Sequence, residues 1–230
     1  VNNIVEQIAS GNNTLNTIAG KIGEKEPTVL YSLDKLISVG LVEKKKCITE
    51  EKNKKKTQYV LKDYMFKFWY EFIPKATSVI EIGQGEIYYQ KAVKPILHSF
   101  MGAVFEDMCR YYTLKKGIIG EYGCFITSVG TWWGVENIKD KYGNMRTQSV
   151  DIDVVALSEV DKKALVGECK FKNEKIDKSI YETLVSRGKL LPAKYKVSKY
   201  ILFSLAGYTD WVESLSDEDV VLLTLDSIYE

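Results

Sequence analysis

Histidine occurs once, at His98, and the four cysteines (Cys47, Cys109, Cys124, Cys169) are scattered with no CxxC pair. Such spacing excludes a structural zinc site in expectation, and the thiols read as reduced, in a cytoplasmic protein. No apolar run approaches the roughly 20 residues that a bilayer-crossing helix needs, so no membrane partner is expected. Net charge is close to absent, 32 Lys and Arg against 31 Asp and Glu, so the global charge names no partner. No GxxxxGK[ST] occurs, and neither Ile22-Gly23 nor Arg187-Gly188-Lys189 replaces it, which excludes nucleotide hydrolysis as the chain's own activity. The opening Val1-Asn2-Asn3-Ile4 has no basic n-region or apolar h-region, so no signal peptide is read. It has no initiator Met and enters a helical pattern almost at once, from which a piece of a longer protein is expected.

What is present is an ordinary globular composition, 45% hydrophobic and 27% charged over 230 residues, with room for two modest domains. Within residues 1–62, Ile4, Val5 and Ile8 form one apolar stripe, ended near Gly11. Thr14 is placed to cap a second helix carrying Leu15, Ile18, Ala19 and Ile22, which Gly23 closes. A third helix follows Pro27, with Val29, Leu30, Leu33, Leu36, Ile37 and Val39 at helical spacing before Gly40. Leu41-Val42 then enters a strand, a lysine-rich turn intervenes, and Thr57 to Leu61 returns as a second strand. Three helices and a two-stranded wing in this order resemble a winged helix-turn-helix. The resemblance implies a surface able to touch DNA or a protein. Lys35 on the third helix and Lys44, Lys45, Lys54, Lys55 and Lys56 on the wing are the candidate phosphate contacts.

Residues 63–95 form a connector dense in aromatics (Tyr64, Phe66, Phe68, Trp69, Tyr70, Phe72), read either as an amphipathic helix joining two domains or as a stacking surface for single-stranded bases. Residues 96–230 begin with a helix over Phe100–Leu114, with Phe100, Val104, Met108 and Tyr111 or Tyr112 as its expected buried side. Strands are expected at Phe125–Ser128, Thr131–Trp133, Val150–Leu157, Ala164–Phe171, Lys199–Leu205 and Val220–Leu225, with a helix near Ile176–Leu191. That order is an α/β sandwich.

Two of these strands carry charge where burial forbids it. Val150-Asp151-Ile152-Asp153-Val154-Val155-Ala156 has carboxylates at alternate positions, and Leu165-Val166-Gly167-Glu168-Cys169-Lys170-Phe171 has a Glu and a Lys at alternate positions. Strand alternation puts each pair on one face, and a buried charge is costly unless it is paired or binds a metal. Ser158 to Lys163 is short enough for a hairpin, so Asp153 and Glu168 come within reach of one cation. Mg²⁺ or Mn²⁺ suits such hard oxygen ligands. Lys170 beside them can orient an attacking water or stabilise charge on a phosphorane. Asp151 is read either as an acid behind the site or as a surface residue.

The run D-I-D-V-V-A followed, about fifteen residues after Asp153, by G-E-C-K-F resembles the signature of the PD-(D/E)XK nuclease-like superfamily. The resemblance implies Asp153 as the motif aspartate, Glu168-Cys169-Lys170 as E-x-K, and Glu106 of Phe105-Glu106-Asp107 as the helix glutamate, so Glu106, Asp153 and Glu168 would hold the metal. With the helix-turn-helix pattern, Trp132-Trp133-Gly134 and the C-terminal segment included, nearly the whole chain is similar to the C-terminal region of archaeal-type ATPases that end in a DUF234 domain. That implies an ATPase module N-terminal to this region in the same polypeptide. The helix after E-x-K offers Lys178, Arg187 and Lys189 as further basic groups, with Lys189 the DNA-contact candidate. The leading expectation is a DNA-binding, Mg²⁺-dependent endonuclease. Two others stand beside it: an inert nuclease-like scaffold with a winged helix that binds DNA or protein, and a regulatory half of an ATPase.

Overall fold

Thr14 Oγ1 accepts a hydrogen bond from the Thr17 N–H (3.3 Å), which starts α2 (Leu15–Ile22), and Gly23 ends it in the left-handed region at φ +72°. The computed structural model describes residues 1–50, 57–139, 143–215 and 219–229. The chain divides into two compact units, Val1–Lys46 with Glu50–Leu97, and Cys47–Thr49 with His98–Glu230.

In the first unit α2 lies between α1 (Asn2–Ala9) and α3 (Glu26–Ser38), with Pro27 in the first turn of α3. An antiparallel hairpin follows, β1 (Val42–Lys46) and β2 (Thr57–Leu61), in register from Val42↔Leu61 to Lys46↔Thr57. The apolar stripes meet in one core of Ile4, Val5, Ile8, Ile18, Val29, Leu33 and Leu36, closed by Val42, Tyr59 and Leu61 of the hairpin. Asp63 then caps α4 (Tyr64–Phe72), its Oδ1 accepting from the N–H groups of Met65 (2.7 Å) and Phe66 (3.2 Å). This helix buries Phe72 and leaves Met65, Phe66 and Trp69 exposed. Two short helices follow, α5 (Thr77–Glu81) and α6 (Gly85–Tyr88).

The second unit is a mixed α and β structure. Its elements are α7 (Lys94–Ile118, whose first residues fall in the first unit), β3 (Ser128–Lys139), β4 (Met145–Ser158), β5 (Lys163–Lys170), α8 (Lys178–Gly188), β6 (Lys196–Ser204), α9 (Asp210–Glu213), β7 (Val220–Thr224) and α10 (Leu225–Tyr229). The five-stranded sheet runs β3-β4-β5-β6-β7. Pairings from β3 to β5 are antiparallel, and those from β5 to β7 are parallel. On one face α7 packs Phe105, Cys109 and Tyr112 against Val154, Ala156, Leu165, Cys169, Ile201 and Phe203. On the other, Leu184 of α8 joins Ile152, Val155, Leu157, Ala164, Val166 and Leu202.

Two expectations change. The buried side of α7 is Phe105, Cys109, Tyr112, Thr113 and Gly117, so Tyr112 is the one expected residue on it, and Phe100, Val104, Met108 and Tyr111 are not. The i, i+4 ridge of Cys109, Thr113 and Gly117 is made of small residues, and a Cβ on Gly117 would stand 2.4 Å from Ile126 Cγ1. Close approach, rather than hydrophobicity alone, selects the face. The β3–β4 hairpin also runs far beyond the expected strands, to Lys139↔Met145, whereas Phe125 to Thr127 is not strand.

Candidate functional site

The site forms where β4 breaks step with its neighbours. Gly130 pairs with Val155 and Trp132 with Ile152, so two steps along β3 face three along β4. The additional residue falls at Asp153–Val154 and makes a β-bulge, the device that re-aims a side chain beside a site. Strict alternation is lost there, since Ile152 and Val155 both enter the core beneath α8. On the other edge the β4–β5 ladder stops at Val154↔Gly167. Gly167 is pressed between two strands: a Cβ would lie 3.1 Å from Ile201 O and 3.2 Å from Val154 Cβ. One step on, the Asp153 carboxylate takes over the pairing, its Oδ2 accepting from the Cys169 N–H at 2.9 Å.

Glu168 and Lys170 share a face of β5, and Lys170 Nζ donates to Glu168 Oε1 at 2.5 Å. Glu168 is 8% exposed. Burial alone would lower the Lys170 ammonium, but Glu168 and Asp153 hold it above its ordinary value, so it stays charged. Cys169, between them, points into the α7-side core as alternation requires. Burial raises its thiol well above the ordinary value, with Cys109 beside it reinforcing the shift, so it is inert filling.

α7 delivers Glu106, with Arg110 one turn later. Arg110 NH1 donates to Asp153 O (2.7 Å) and Thr131 Oγ1 (3.2 Å) and reaches Glu106 Oε2 at 3.4 Å, while NH2 bonds Asp107. Burial pushes the Asp153 carboxyl up to about 8, and the neighbouring Glu168 and Glu106 carboxylates reinforce the shift. The Cys169 N–H and Lys170 offset only part of it.

Glu106, Asp151, Asp153, Glu168, Lys170 and Arg187 line a cavity of about 400 Å³, with Ser179 and Thr183 of α8 on its wall. Arg187 NH1 donates to Asp151 O at 2.9 Å and lies 3.7 Å from Asp151 Oδ1, and its buried Nε has no hydrogen-bond partner among the described residues. Asp151 is therefore a rim residue, its side chain 65% exposed and tied to Arg187.

Three carboxylates, one of them pushed up by burial and further by the other two, make the electrostatic arrangement a divalent cation relieves. Glu106, Asp153 and Glu168 fit such an ion in donor type and number. Their side chains are nevertheless turned to protein partners, and among the described residues no three His, Cys, Asp or Glu side chains stand as a ready ligand set. Bringing Glu168 onto a cation requires it to part from Lys170.

The four residues Glu106, Asp153, Glu168 and Lys170 thus share one cavity. The candidate DNA contacts that are described fall in both units. Lys35 lies over the Tyr31 ring at 4.3 Å, Lys44 pairs with Asp34 at 3.2 Å, and Lys45 is half-buried on β1. Lys189 is the exposed residue that ends α8, outside the cavity lining, and Lys54, Lys55 and Lys56 lie outside the described residues. Sequence reasoning did not single out Arg110. Its only signal was the i, i+4 spacing from Glu106. Arg187, noted there only as one of several helix cations, is the one that reaches the cavity.

Residues 69–181 match the DUF234 family. That family is described as archaea bacterial proteins of unknown function. The DUF234 match takes in Glu106, Asp153, Glu168 and Lys170, and ends before Arg187. Over 225 residues, 97% of this chain, the sequence is 29% identical to an uncharacterized protein of Methanocaldococcus jannaschii. The chain spans about half, 46%, of that relative's length. No solved structure matches the chain significantly. Among the described residues no helix is long and apolar enough to cross a membrane.

Proposed function

We propose that the second unit is a PD-(D/E)XK-type, Mg²⁺- or Mn²⁺-dependent phosphodiesterase acting on DNA. The observation that supports it most is the meeting of Glu106, Asp153 and Glu168, with Lys170 beside them, at the bulged end of the β4–β5 ladder. In this reading the three carboxylates hold the divalent ion, which when bound polarises the phosphodiester and makes attacking water more acidic. The Lys170 ammonium stabilises charge that develops on the phosphoryl oxygens. Arg187, which lines the same cavity, holds a neighbouring phosphate. The order of three helices and a hairpin in the first unit supports a winged helix that contacts DNA. More than half of the Methanocaldococcus relative lies outside the matched region, which leaves room there for the ATPase module that the resemblance implies.

The test is incubation of the chain with supercoiled plasmid, single-stranded DNA and branched DNA, with Mg²⁺ or Mn²⁺ against EDTA, beside Asp153→Ala and Lys170→Ala. Cleavage that needs the metal and falls at least about 100-fold in both variants supports the reading, as for loss of a transition-state-stabilising group. No cleavage by the wild type, or equal cleavage by the variants, sinks it. A second reading, an inert DNA-retaining scaffold, draws on Glu168 being locked to Lys170 and Glu106 to Arg110. It predicts DNA retention with no cleavage.

A further inference from the structure

We infer that Arg110 is a positioning residue for the acidic site, a role that rests on the metal-dependent reading above. Thr131 and Asp153 lie at the bulge, and neither has a cross-strand partner in the β3–β4 register. A bulge lets a side chain bond main-chain groups of residues that the register leaves unmatched. Arg110 does this at Asp153 O (2.7 Å) and spans the gap to Thr131 Oγ1 (3.2 Å). The same NH1 reaches Glu106 Oε2 at 3.4 Å. One rigid cation therefore ties the main chain that carries Asp153 to the side chain of Glu106. The two acids come from elements 47 positions apart in sequence, and Arg110 sets them in one frame.

Its other edge is fixed independently. NH2 bonds Asp107, one helical turn back, so the guanidinium plane is oriented by α7 itself. The Arg110 side chain is only 11% exposed, and the residue is not among those lining the cavity. A DNA phosphate in the cavity would meet Lys170 and Arg187, so Arg110 acts through Glu106 and Asp153 rather than on substrate. Lysine cannot replace it fully, because its single Nζ would have to reach Asp107, which NH2 bonds, as well as the three acceptors that NH1 contacts.

The experiment measures Mn²⁺ binding by the full chain, as free Mn²⁺ in electron paramagnetic resonance, for wild type, Arg110→Gln and Arg110→Lys, with Asp153→Ala as the ligand-loss control. Cleavage kinetics are run in parallel at a temperature where each variant keeps the wild-type circular dichroism. Both Arg110 variants are expected to bind Mn²⁺ about 10-fold to 100-fold more weakly, the range for residues that orient metal ligands. Half-saturating Mn²⁺ in cleavage should rise in step while KM for DNA stays unchanged, a split that a purely structural role would not produce. Should Arg110→Gln fail to fold, Arg110→Lys, which keeps the buried charge, carries the comparison. Folded variants that bind Mn²⁺ as tightly as the wild type overturn the positioning role and leave the metal reading standing. A wild type that binds no Mn²⁺, or binds it no better than Asp153→Ala, overturns the metal reading and the role of Arg110 with it.

Discussion

Replacing Asp153 by Asn should stabilise the folded chain at neutral pH when divalent cations are chelated. Burial, with Glu168 and Glu106 adding to it, moves the Asp153 carboxyl from 3.8 to about 8 in the folded state. Below about pH 4 the carboxyl is protonated in both folded and unfolded chains and contributes nothing to the difference. Between about pH 4 and pH 8 the unfolded chain releases the proton while the folded chain retains it. Each pH unit in that window costs the folded state about 1.4 kcal/mol, which sets an upper scale of about 4 kcal/mol at pH 7. Asn is neutral at every pH and keeps an oxygen to accept from the Cys169 N–H, so the penalty disappears with no bond lost. Urea denaturation followed by tryptophan fluorescence in EDTA, at pH 4.5, 6 and 7.5, reads the effect. The advantage of Asp153→Asn should be small at pH 4.5 and grow steadily with pH. Added Mn²⁺ should then stabilise the wild type and not the variant, reversing the order. If Asp153→Asn is no more stable at pH 7.5, or gains equally at every pH, the carboxyl is not crowded as described.

Two other expectations follow from the packing. Phe105→Ala, at a site 1% exposed beneath the sheet, should cost about 3–5 kcal/mol in denaturation. Substitution of Phe100, half-buried on the same helix, should cost clearly less. Lys44→Ala breaks an exposed pair with Asp34 and should change stability by under about 1 kcal/mol. If the first unit holds DNA, the same change should weaken retention evenly across sequences and lower the salt slope by about 1, measured by fluorescence anisotropy.

The acidic strand residues were legible because charge stands out in apolar strands. Asp153, Glu168 and Lys170 each violate the burial pattern around them, and alternation placed Cys169 in the core. The same alternation rule failed at Asp153 and Val154, because a bulge leaves no mark in residue type. Arg110 was illegible for a related reason. An arginine on a helix reads as solvated until the bulge it bonds is known, and that bulge exists only once β3 and β4 have paired out of step. On α7, Phe100, Val104 and Met108 were favoured as larger apolar groups, yet the small residues Thr113 and Gly117 govern how closely the helix approaches Ile126. The outer hairpin, Val135 to Lys139 against Met145 to Ser149, escaped notice because it alternates without a core to bury. Its hydrogen-bonded partner strand holds it, and pairing of that kind is not written in hydrophobicity.

The central claim, that Glu106, Asp153 and Glu168 jointly hold a divalent cation, is tested most directly by anomalous scattering from crystals of the chain grown or soaked with Mn²⁺. The expected result is a manganese peak in the cavity, ligated by Asp153 and Glu168 with Glu106 directly or through water, and absent from Asp153→Asn crystals. Manganese bound elsewhere while this cavity stays clear, with Glu168 still paired to Lys170, would contradict it.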